Sequence, residues 1–453
     1  MEKKEILNRI EDFTAQQLFD FIQQGIVTLD ELRGTGNLDN SLRKAIVALQ
    51  TAGDKEDDNA WEQARYGNES VLADYITKFP TGKHVKEAKE RIDDLRRQRE
   101  EIIAQKQGVL DRIRHNPNSY SPNQIKGFLN NGTFTQSELR DYCNIPQSAI
   151  DNLDNIRTPQ LQLGNTPTSI PDGYTEVYFW GGTGSGKTCA LGAVLQMAEQ
   201  KGYLNIATGS GYNYAYQLKN IFSNDGGAND YLPAPSPIET TQYLPFTLKN
   251  PAEKVSRSVS LIELSGEIFK CFFYKNAGQQ LPTQSHEDTF NSLNTFLNSN
   301  NRKVHFFFID YDRENKPDGS GLKQSDYLAA ASTYFKNNQV FGKTTDAIYI
   351  VLTKSDLLFD ENDNPVTGYN NRVDYAKKYL NAQNYQAFIN TLKDSCKKYS
   401  INAGRLTVEP FSLGKVYFKE ICDFDGSSAE NIVEILMERI AGSKKSILDV
   451  FNQ

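Results

Sequence analysis

The chain has 453 residues, of which 38% are hydrophobic and 11% aromatic, and its formal net charge is −7. This length exceeds what one ordinary hydrophobic core accommodates and suits about two or three domains, and the acidic balance argues against a general nucleic-acid-binding protein. The five cysteines are scattered, odd in number and without C-x-x-C spacing, which excludes the usual zinc-site patterns and favours reduced thiols in a cytoplasmic protein.

Neither a targeting segment nor a membrane-spanning segment is predicted. Residues 1–5 carry acidic side chains and lack the apolar stretch of a signal peptide. The run at 304–309 is among the longest apolar runs and includes His305, so it falls well short of a membrane-spanning helix. We therefore expect a cytoplasmic protein without membrane insertion.

Residues 1–156 predict a helical module with an internal repeat, because residues 13–33 and 120–140 align without a gap. Each copy, within 13–50 and 120–156, is predicted to be a small helix–turn–helix unit. Equivalent residues are N-caps (Thr14, Ser121), helix-ending glycines (Gly25, Gly132) and capping-box pairs of the second helix (Thr28 with Glu31, Thr135 with Glu138).

Such helix pairs can bind DNA, but the second helix of each copy carries little basic charge, so packing or contact with protein partners is favoured. Between the copies, residues 57–107 resemble a tetratricopeptide-like helical unit, with Pro80 and Gly82 in its turn. We expect the module to contact protein partners and do no chemistry. Residues 157–173, rich in proline and polar side chains, are predicted to be a linker.

A glycine-rich loop follows a strand predicted at 176–180 and precedes a helix predicted from residue 189. The loop consists of Gly181, Gly182, Thr183, Gly184, Ser185, Gly186, Lys187 and Thr188. The pattern G-x-x-x-x-G-K-[ST] between a strand and a helix predicts a Walker A phosphate-binding loop, or P-loop. Its backbone N–H groups and the helix N-terminus would face a polyphosphate. Lys187 would reach the terminal phosphates and the Thr188 hydroxyl would hold Mg²⁺.

From residue 174 to 453, strand-like apolar runs alternate with amphipathic stretches, which predicts an α/β domain with a mainly parallel, doubly wound sheet. The predicted strands after the loop are 241–248 and 256–264, which suggest an antiparallel pair, then 304–309, 347–352 and 406–411. The predicted helices are 325–336, 372–398 and 429–450.

The order of these motifs resembles that of the P-loop GTPases of the translation-factor and signalling class (TRAFAC-like), over about residues 174–440. Thr353, Lys354 and Asp356 match the [NT]-K-x-D pattern at the end of a predicted strand. The resemblance implies that Asp356 accepts hydrogen bonds from guanine, that Lys354 lies along the base and that Ser412 belongs to the last base-contacting loop. It also implies GTP or GDP and Mg²⁺ as ligands.

The chain departs from this family in its D-x-x-G motif, which reads E-L-S-G at 263–266. Glu263 can still hold a water bound to Mg²⁺. The next residue, often a water-orienting glutamine, is Glu267, whose carboxylate a γ-phosphate would repel, so slow hydrolysis is expected. The switch threonine that would ligate Mg²⁺ is either Thr240 or Thr241.

Two alternatives remain open. Asp310, at the end of the 304–309 run, suits a P-loop ATPase that uses it as the acid on the Mg²⁺ side. A nucleotide-bound scaffold that hydrolyses little is the other. The 353–356 pattern favours a slow GTPase that acts as a switch, with Glu263 and Gly266 sensing the γ-phosphate. Its expected catalytic group is Lys187, Thr188, Glu263, Gly266 and Glu267.

Overall fold

The computed structural model describes residues 2–155, 161–162, 169–209, 211–223, 231–233, 241–250, 255–362, 364–382 and 384–441. The chain divides into two compact units, Met1–Asp111 and Arg112–Gln453. The sequence predicts a helical module that ends at residue 156, whereas the first compact unit ends at Asp111. The second helix–turn–helix copy therefore belongs to the same unit as the sheet. Most of the predicted linker lies outside the described residues.

The first unit is helical. Its helices are α1 (Lys3–Asn8), α2 (Ala15–Gln23), α3 (Leu29–Gly34), α4 (Asn40–Ala64), α5 (Glu69–Lys78) and α6 (Val85–His115), the last of which continues past Asp111. The two predicted caps are present, since the side chain of Thr14 accepts from the backbone of Gln17 and that of Thr28 accepts from Glu31. Local sequence therefore sets where α2 and α3 begin.

The turn between α5 and α6 is built on a buried carboxylate. Asp57 is 4% exposed and accepts from the Tyr75 hydroxyl and from the backbone N–H of Lys83 at 2.7 Å. A Cβ added at Gly82 would lie 2.7 Å from an Asp57 oxygen, so only glycine fits beside it. Apolar side chains such as Trp61 and Leu72 surround this turn and form a small core.

The second unit opens with α7 (Pro122–Asn130), α8 (Gln136–Asp141) and α9 (Gln147–Asp151). Ser121 and Thr135 form the same capping boxes as their counterparts in the first copy. The strands that follow are β1 (Thr175–Trp180), β2 (Leu204–Ile206), β3 (Gln242–Asn250), β4 (Val255–Glu263), β5 (Arg302–Asp310), β6 (Thr345–Thr353) and β7 (Thr407–Phe411).

These strands form a seven-stranded sheet in the order β2-β3-β4-β1-β5-β6-β7 within the described residues. The five strands from β4 to β7 run parallel, whereas β3 is antiparallel to both of its neighbours. This confirms the predicted α/β class, and β3 with β4 is the expected antiparallel pair. A separate hairpin, β8 (Gly414–Tyr417) and β9 (Ile421–Phe424), was not predicted.

Helices cover both faces of the sheet. One face packs against α10 (Lys187–Gln200), α11 (Tyr212–Asn220) and α17 (Ser427–Ala441), and the other against α12 (Ile268–Asn276), α13 (Gln284–Leu297), α14 (Gln324–Asn337), α15 (Tyr369–Ala382) and α16 (Gln386–Tyr399). In β1, Val177 and Phe179 join the first core while Tyr178 and Trp180 join the second. Successive side chains of a strand point to opposite faces, so β1 is buried on both.

The topology places a crevice at the carboxyl end of β1. After β1 the chain forms β2, β3 and β4 on one side of β1, and then crosses to form β5, β6 and β7 on its other side. Ligands of open α/β sheets bind at such a reversal, outside the carboxyl ends of the strands. None of the helices in the described ranges combines the length and apolarity that crossing a bilayer requires.

Candidate functional site

A cavity of about 760 Å³ opens at the carboxyl ends of the parallel strands. This size suits a small-molecule ligand. It brings together predicted site residues from four separate segments of the chain. These are Thr183, Gly184, Ser185, Gly186, Lys187, Thr188, Glu263, Gly266, Asp310, Thr353, Lys354 and Asp356.

The glycine-rich loop joins β1 to α10 in a conformation that needs its glycines. Gly184 and Gly186 have φ of +76° and +86°, a region that other residues rarely adopt. A Cβ added at Gly181 would lie 2.7 Å from the carbonyl oxygen of Phe308 on β5. The loop therefore lies tightly against the end of the neighbouring strand.

Lys187, the first residue of α10, is 6% exposed. Its Nζ donates to the carbonyl oxygens of Gly181 at 2.7 Å and Gly182 at 3.0 Å. Burial lowers the pKa of Lys187 to about 8, and the nearby Glu263 carboxylate acts in the opposite direction. The side chain thus places a desolvated positive charge under the loop.

Glu263, the last residue of β4, is 1% exposed and accepts two hydrogen bonds. The Thr188 hydroxyl donates to one carboxylate oxygen, and the Tyr214 hydroxyl donates to the other at 2.6 Å. Burial raises the pKa of Glu263. A divalent cation bound beside Glu263 would offset the free-energy cost of burying the charged carboxylate.

Hydroxyl and carboxylate oxygens are ligands that Mg²⁺ accepts, so Thr188 and Glu263 fit a Mg²⁺ site. No group of three or more His, Cys, Asp or Glu suited to a metal occurs among the described residues. Mg²⁺ sites commonly use one or two protein oxygens and fill the remaining positions with water and substrate phosphate. Of the two predicted switch threonines, Thr240 lies outside the described residues. Thr241 is buried and its hydroxyl accepts from the Ser265 N–H at 3.4 Å.

The turn after β4 lies directly on the glycine-rich loop. A Cβ added at Gly266 would lie 2.1 Å from the backbone nitrogen of Thr183. The next residue, Glu267, accepts from the Thr183 hydroxyl at 2.9 Å and pairs with Lys270 at 2.9 Å. Its carboxylate is therefore already engaged by a hydroxyl and an ammonium group.

The cavity is also lined by the predicted base-recognition residues Thr353, Lys354 and Asp356. The Thr353 hydroxyl donates to the carbonyl oxygens of Ser185 at 3.0 Å and Ile309 at 3.2 Å, which ties β6 to the glycine-rich loop and to β5. Asp356 accepts from the Ser412 hydroxyl at 2.8 Å. These contacts join four segments that are remote in sequence.

Asp310 ends β5 between the two halves of the cavity. It is 3% exposed, and its carboxylate accepts from the Lys354 ammonium at 2.9 Å and from the Asp312 N–H at 2.9 Å. Lys354 has φ of +58°. Both carboxylate oxygens of Asp310 are thus engaged within the chain.

Sequence reasoning missed one wall of the cavity. The turn between α6 and α7 contributes Asn116 and Asn118, whose neighbours in space are the tip residues of the β8–β9 hairpin. The Asn118 side chain accepts from the Lys419 N–H at 2.7 Å, and the Pro117 carbonyl accepts from the Phe418 N–H at 3.0 Å. No local sequence pattern in either segment predicts this contact.

Two further residues of the site were missed. Tyr214 on α11 reaches Glu263, as described above. Arg313, in the loop after β5, lines the cavity and donates to the carbonyl oxygen of Thr183. An arginine three residues after a strand-end aspartate is a weak signal, and it could be noticed only once that strand end was known to face the loop.

No protein-family model matches this chain, and a search of curated proteins finds no match. Its function therefore has to be inferred from the site itself.

Proposed function

We propose that this chain is a GTP-binding protein with slow, Mg²⁺-dependent GTPase activity, acting as a nucleotide-dependent switch. Protein partners would contact its helical N-terminal region. The proposal depends on one observation above all. A single cavity is lined both by the glycine-rich loop, with Lys187 and Thr188, and by Asp356, whose carboxylate accepts from the Ser412 hydroxyl.

The phosphate end has the chemistry that a P-loop requires. The loop lies between a strand and the start of α10, where backbone N–H groups and the helix N-terminus favour anions. Lys187 supplies a buried positive charge for the terminal phosphates. Mg²⁺ bound near Thr188 and Glu263 would neutralise further phosphate charge.

The base end favours guanine. The Asp356 carboxylate, oriented by Ser412, can accept from the paired ring N–H and amino donors of guanine. Adenine lacks such a pair on that edge, so it would leave the carboxylate without partners, which costs more than the loss of an ordinary hydrogen bond.

A P-loop ATPase that uses Asp310 as the Mg²⁺-side acid is the second candidate. Asp310 ends a buried strand beside the loop, as that role requires. However, its carboxylate already accepts from Lys354 and Asp312, whereas Glu263 contacts Thr188 directly. These contacts favour Glu263 in the Mg²⁺-side role. A scaffold that hydrolyses little would share the same site and differ only in turnover.

Hydrolysis without a partner is expected to be slow, because Glu267 stands where a glutamine would orient water. The rate should lie within about tenfold of the roughly 10⁻⁴ to 10⁻³ s⁻¹ of unassisted small GTPases. Phosphate release from the purified protein measures it, and a rate above about 1 s⁻¹ would favour the ATPase candidate.

Base identity is the decisive test. Competition of GTP, ATP and xanthosine triphosphate against a fluorescent nucleotide compares the wild type with Asp356→Asn. We expect the wild type to prefer GTP over ATP by about a hundredfold or more, and Asp356→Asn to weaken GTP and favour xanthosine triphosphate, whose oxo group accepts from the new amide.

A matched control is Asp374→Asn, which changes an exposed aspartate on α15. It should leave nucleotide preference unchanged. Equal affinity for ATP and GTP in the wild type, with no gain for xanthosine triphosphate in Asp356→Asn, would contradict the proposal and favour the ATPase candidate.

A further inference from the structure

Arg313 reaches back from the loop after β5 to the glycine-rich loop, 130 residues earlier in the chain. Its guanidinium donates to the Thr183 carbonyl, and a Cβ added at Gly184 would lie 3.1 Å from its Nη1. It also lines a small second pocket together with Gly182, Thr183 and Gly266. The guanidinium therefore lies at the part of the loop where the turn after β4 approaches it.

The charge of Arg313 is not neutralised within the described part of the chain. Three neighbouring lysines each pair with a carboxylate: Lys270 with Glu267, Lys316 with Asp312 and Lys354 with Asp310. Arg313 forms no ion pair with the described residues, and the partner that holds it is a neutral carbonyl.

Arg313 and Lys187 thus place two cations on one loop. The positive charge of Arg313 adds to the burial that lowers the pKa of Lys187, so the two side chains are close enough to repel each other. A protein tolerates such repulsion where an anion fills the space between the cations. Because the guanidinium is planar and always charged, it suits a phosphoryl group with several oxygens.

We infer that Arg313 is a catalytic residue supplied in cis, whose guanidinium contacts the transferring γ-phosphoryl group of the bound nucleotide. This inference rests on the proposed function. In the reaction, a water oxygen bonds to the γ-phosphorus while the bond from that phosphorus to the bridging β–γ oxygen breaks. The products are the nucleoside diphosphate and inorganic phosphate, and the water proton passes to phosphate or solvent.

The role of Arg313 in this step is electrostatic. Negative charge moves toward the bridging oxygen and the equatorial oxygens as the bond breaks, and a fixed cation beside them stabilises that state more than the ground state. The Thr183 carbonyl holds the guanidinium at the loop before any ligand binds, so little reorganisation is needed. Lys270, the other cation beside Thr183 in the second pocket, is already paired with Glu267, so Arg313 would supply this charge in addition to that of Lys187.

The test compares the full-length wild type, Arg313→Ala and Arg313→Lys. Single-turnover hydrolysis of GTP and the affinities for GDP and for GDP with aluminium fluoride, a mimic of the transferring group, are measured for each. We expect Arg313→Ala to slow hydrolysis at least about tenfold and to lose the added affinity that aluminium fluoride confers, with GDP affinity changed less than about twofold. Arg313→Lys should recover only part of the rate, because an ammonium lacks the planar fork.

Arg372→Ala is the matched control. Arg372, on α15, also donates to a backbone carbonyl, that of Val366 at 3.1 Å, but it does not line the cavity in the described structure. Its loss should leave hydrolysis and nucleotide affinity unchanged. An Arg313 that served only to hold the loop would, when removed, weaken GDP and GTP equally.

The outcomes separate this inference from the proposed function. Unchanged hydrolysis in Arg313→Ala, or an equal loss of GDP and GTP affinity, would overturn the role of Arg313 alone. A wild type that binds nucleotide without hydrolysing it would overturn that role together with the proposed GTPase activity and leave nucleotide binding standing. A wild type that binds no nucleoside triphosphate would overturn both. If ATP replaces GTP as the ligand, the guanine assignment fails while the same measurements with ATP and ADP decide the role of Arg313.

Discussion

Lys187 shows how one side chain can be held ready for a ligand. Its ammonium is satisfied by two carbonyls of its own loop, so the loop can fold around it without a carboxylate. Replacing it with alanine removes the charge while leaving the backbone of the loop in place. Charge-assisted bonds to phosphate are among the strongest in proteins, so the loss should be large.

For Lys187→Ala we expect nucleotide affinity to fall by about a hundredfold or more. Isothermal titration calorimetry measures it, and circular dichroism checks that the fold survives. Lys201→Ala, which removes a lysine paired with Glu430 and Glu434, serves as the control and should bind normally. Wild-type affinity in Lys187→Ala would remove the phosphate-loop assignment.

His305 is a buried histidine kept neutral by its surroundings. It is fully buried in β5, where its Nδ1 accepts from the Trp180 indole at 3.0 Å. Burial lowers its pKa from 6.5 to about 3. The unfolded chain therefore takes up a proton below about pH 6.5 that the folded chain refuses, so this histidine makes stability fall as pH drops from about 6.5 toward 3.

His305→Phe should be less stable than the wild type at pH 8, by about 1–3 kcal/mol, because the Trp180 N–H loses its acceptor. The difference should shrink at pH 5, because phenylalanine takes up no proton when unfolded. Urea unfolding at both pH values measures this. A difference in the free energy of unfolding that does not change with pH would show that the histidine does not titrate in this way.

At the scale of elements, the turn between β4 and α12 packs directly against the glycine-rich loop. An alanine Cβ at Gly266 would lie 2.1 Å from a backbone atom of Thr183, which no side-chain rearrangement can relieve. The two segments would have to separate, and Glu263 would move with the turn away from Thr188.

Gly266→Ala should therefore cost about 1–3 kcal/mol of stability and weaken the Mg²⁺ dependence of nucleotide binding. Thermal unfolding and titrations of GDP with and without Mg²⁺ test both effects. Gly319→Ala is the control, because a Cβ there meets nothing within 4 Å. Equal behaviour of the two variants would mean that the close approach at Gly266 is not maintained in solution.

The elements also show what sequence could and could not predict. Six of the seven strands of the sheet, their order along the chain and the polar residues at their ends follow from apolar runs and from a motif that is local in sequence. The three-residue strand β2 was not predicted. The contacts of Arg313 with Thr183 and of Tyr214 with Glu263 join residues 130 and 49 positions apart. Hydrophobic periodicity within a short segment cannot predict contacts between such distant residues. The β8–β9 hairpin is too short to stand out in the sequence.

At the scale of the whole molecule, each unit has its own apolar interior. The first unit packs Ile6, Leu18 and Leu32 among its buried residues, and the second has a core on each face of the sheet. Units with separate cores can unfold separately. Because all of the described residues that line the cavity belong to Arg112–Gln453, we expect nucleotide to stabilise that unit alone.

Differential scanning calorimetry of the full chain should therefore show two transitions. A nucleotide at about 100 times its Kd adds about 2.7 kcal/mol to the unit that binds it, so one transition should rise by a few degrees while the other stays fixed. Lys187→Ala is the control, in which neither transition should move. A single transition that shifts as a whole would contradict two independently folding units.

The close packing around the glycine-rich loop has a consequence for which substitutions selection would accept. At Gly182 an added Cβ meets nothing within 4 Å, and the motif leaves that position open. Gly184 is also open in the motif, yet here its φ is positive and the Arg313 guanidinium lies 3.1 Å from an added Cβ. In a library of all single substitutions selected for activity, Gly182 should therefore accept many residues and Gly184 few. A second change at Arg313 would remove only the steric part of that restriction, because the backbone conformation would still favour glycine.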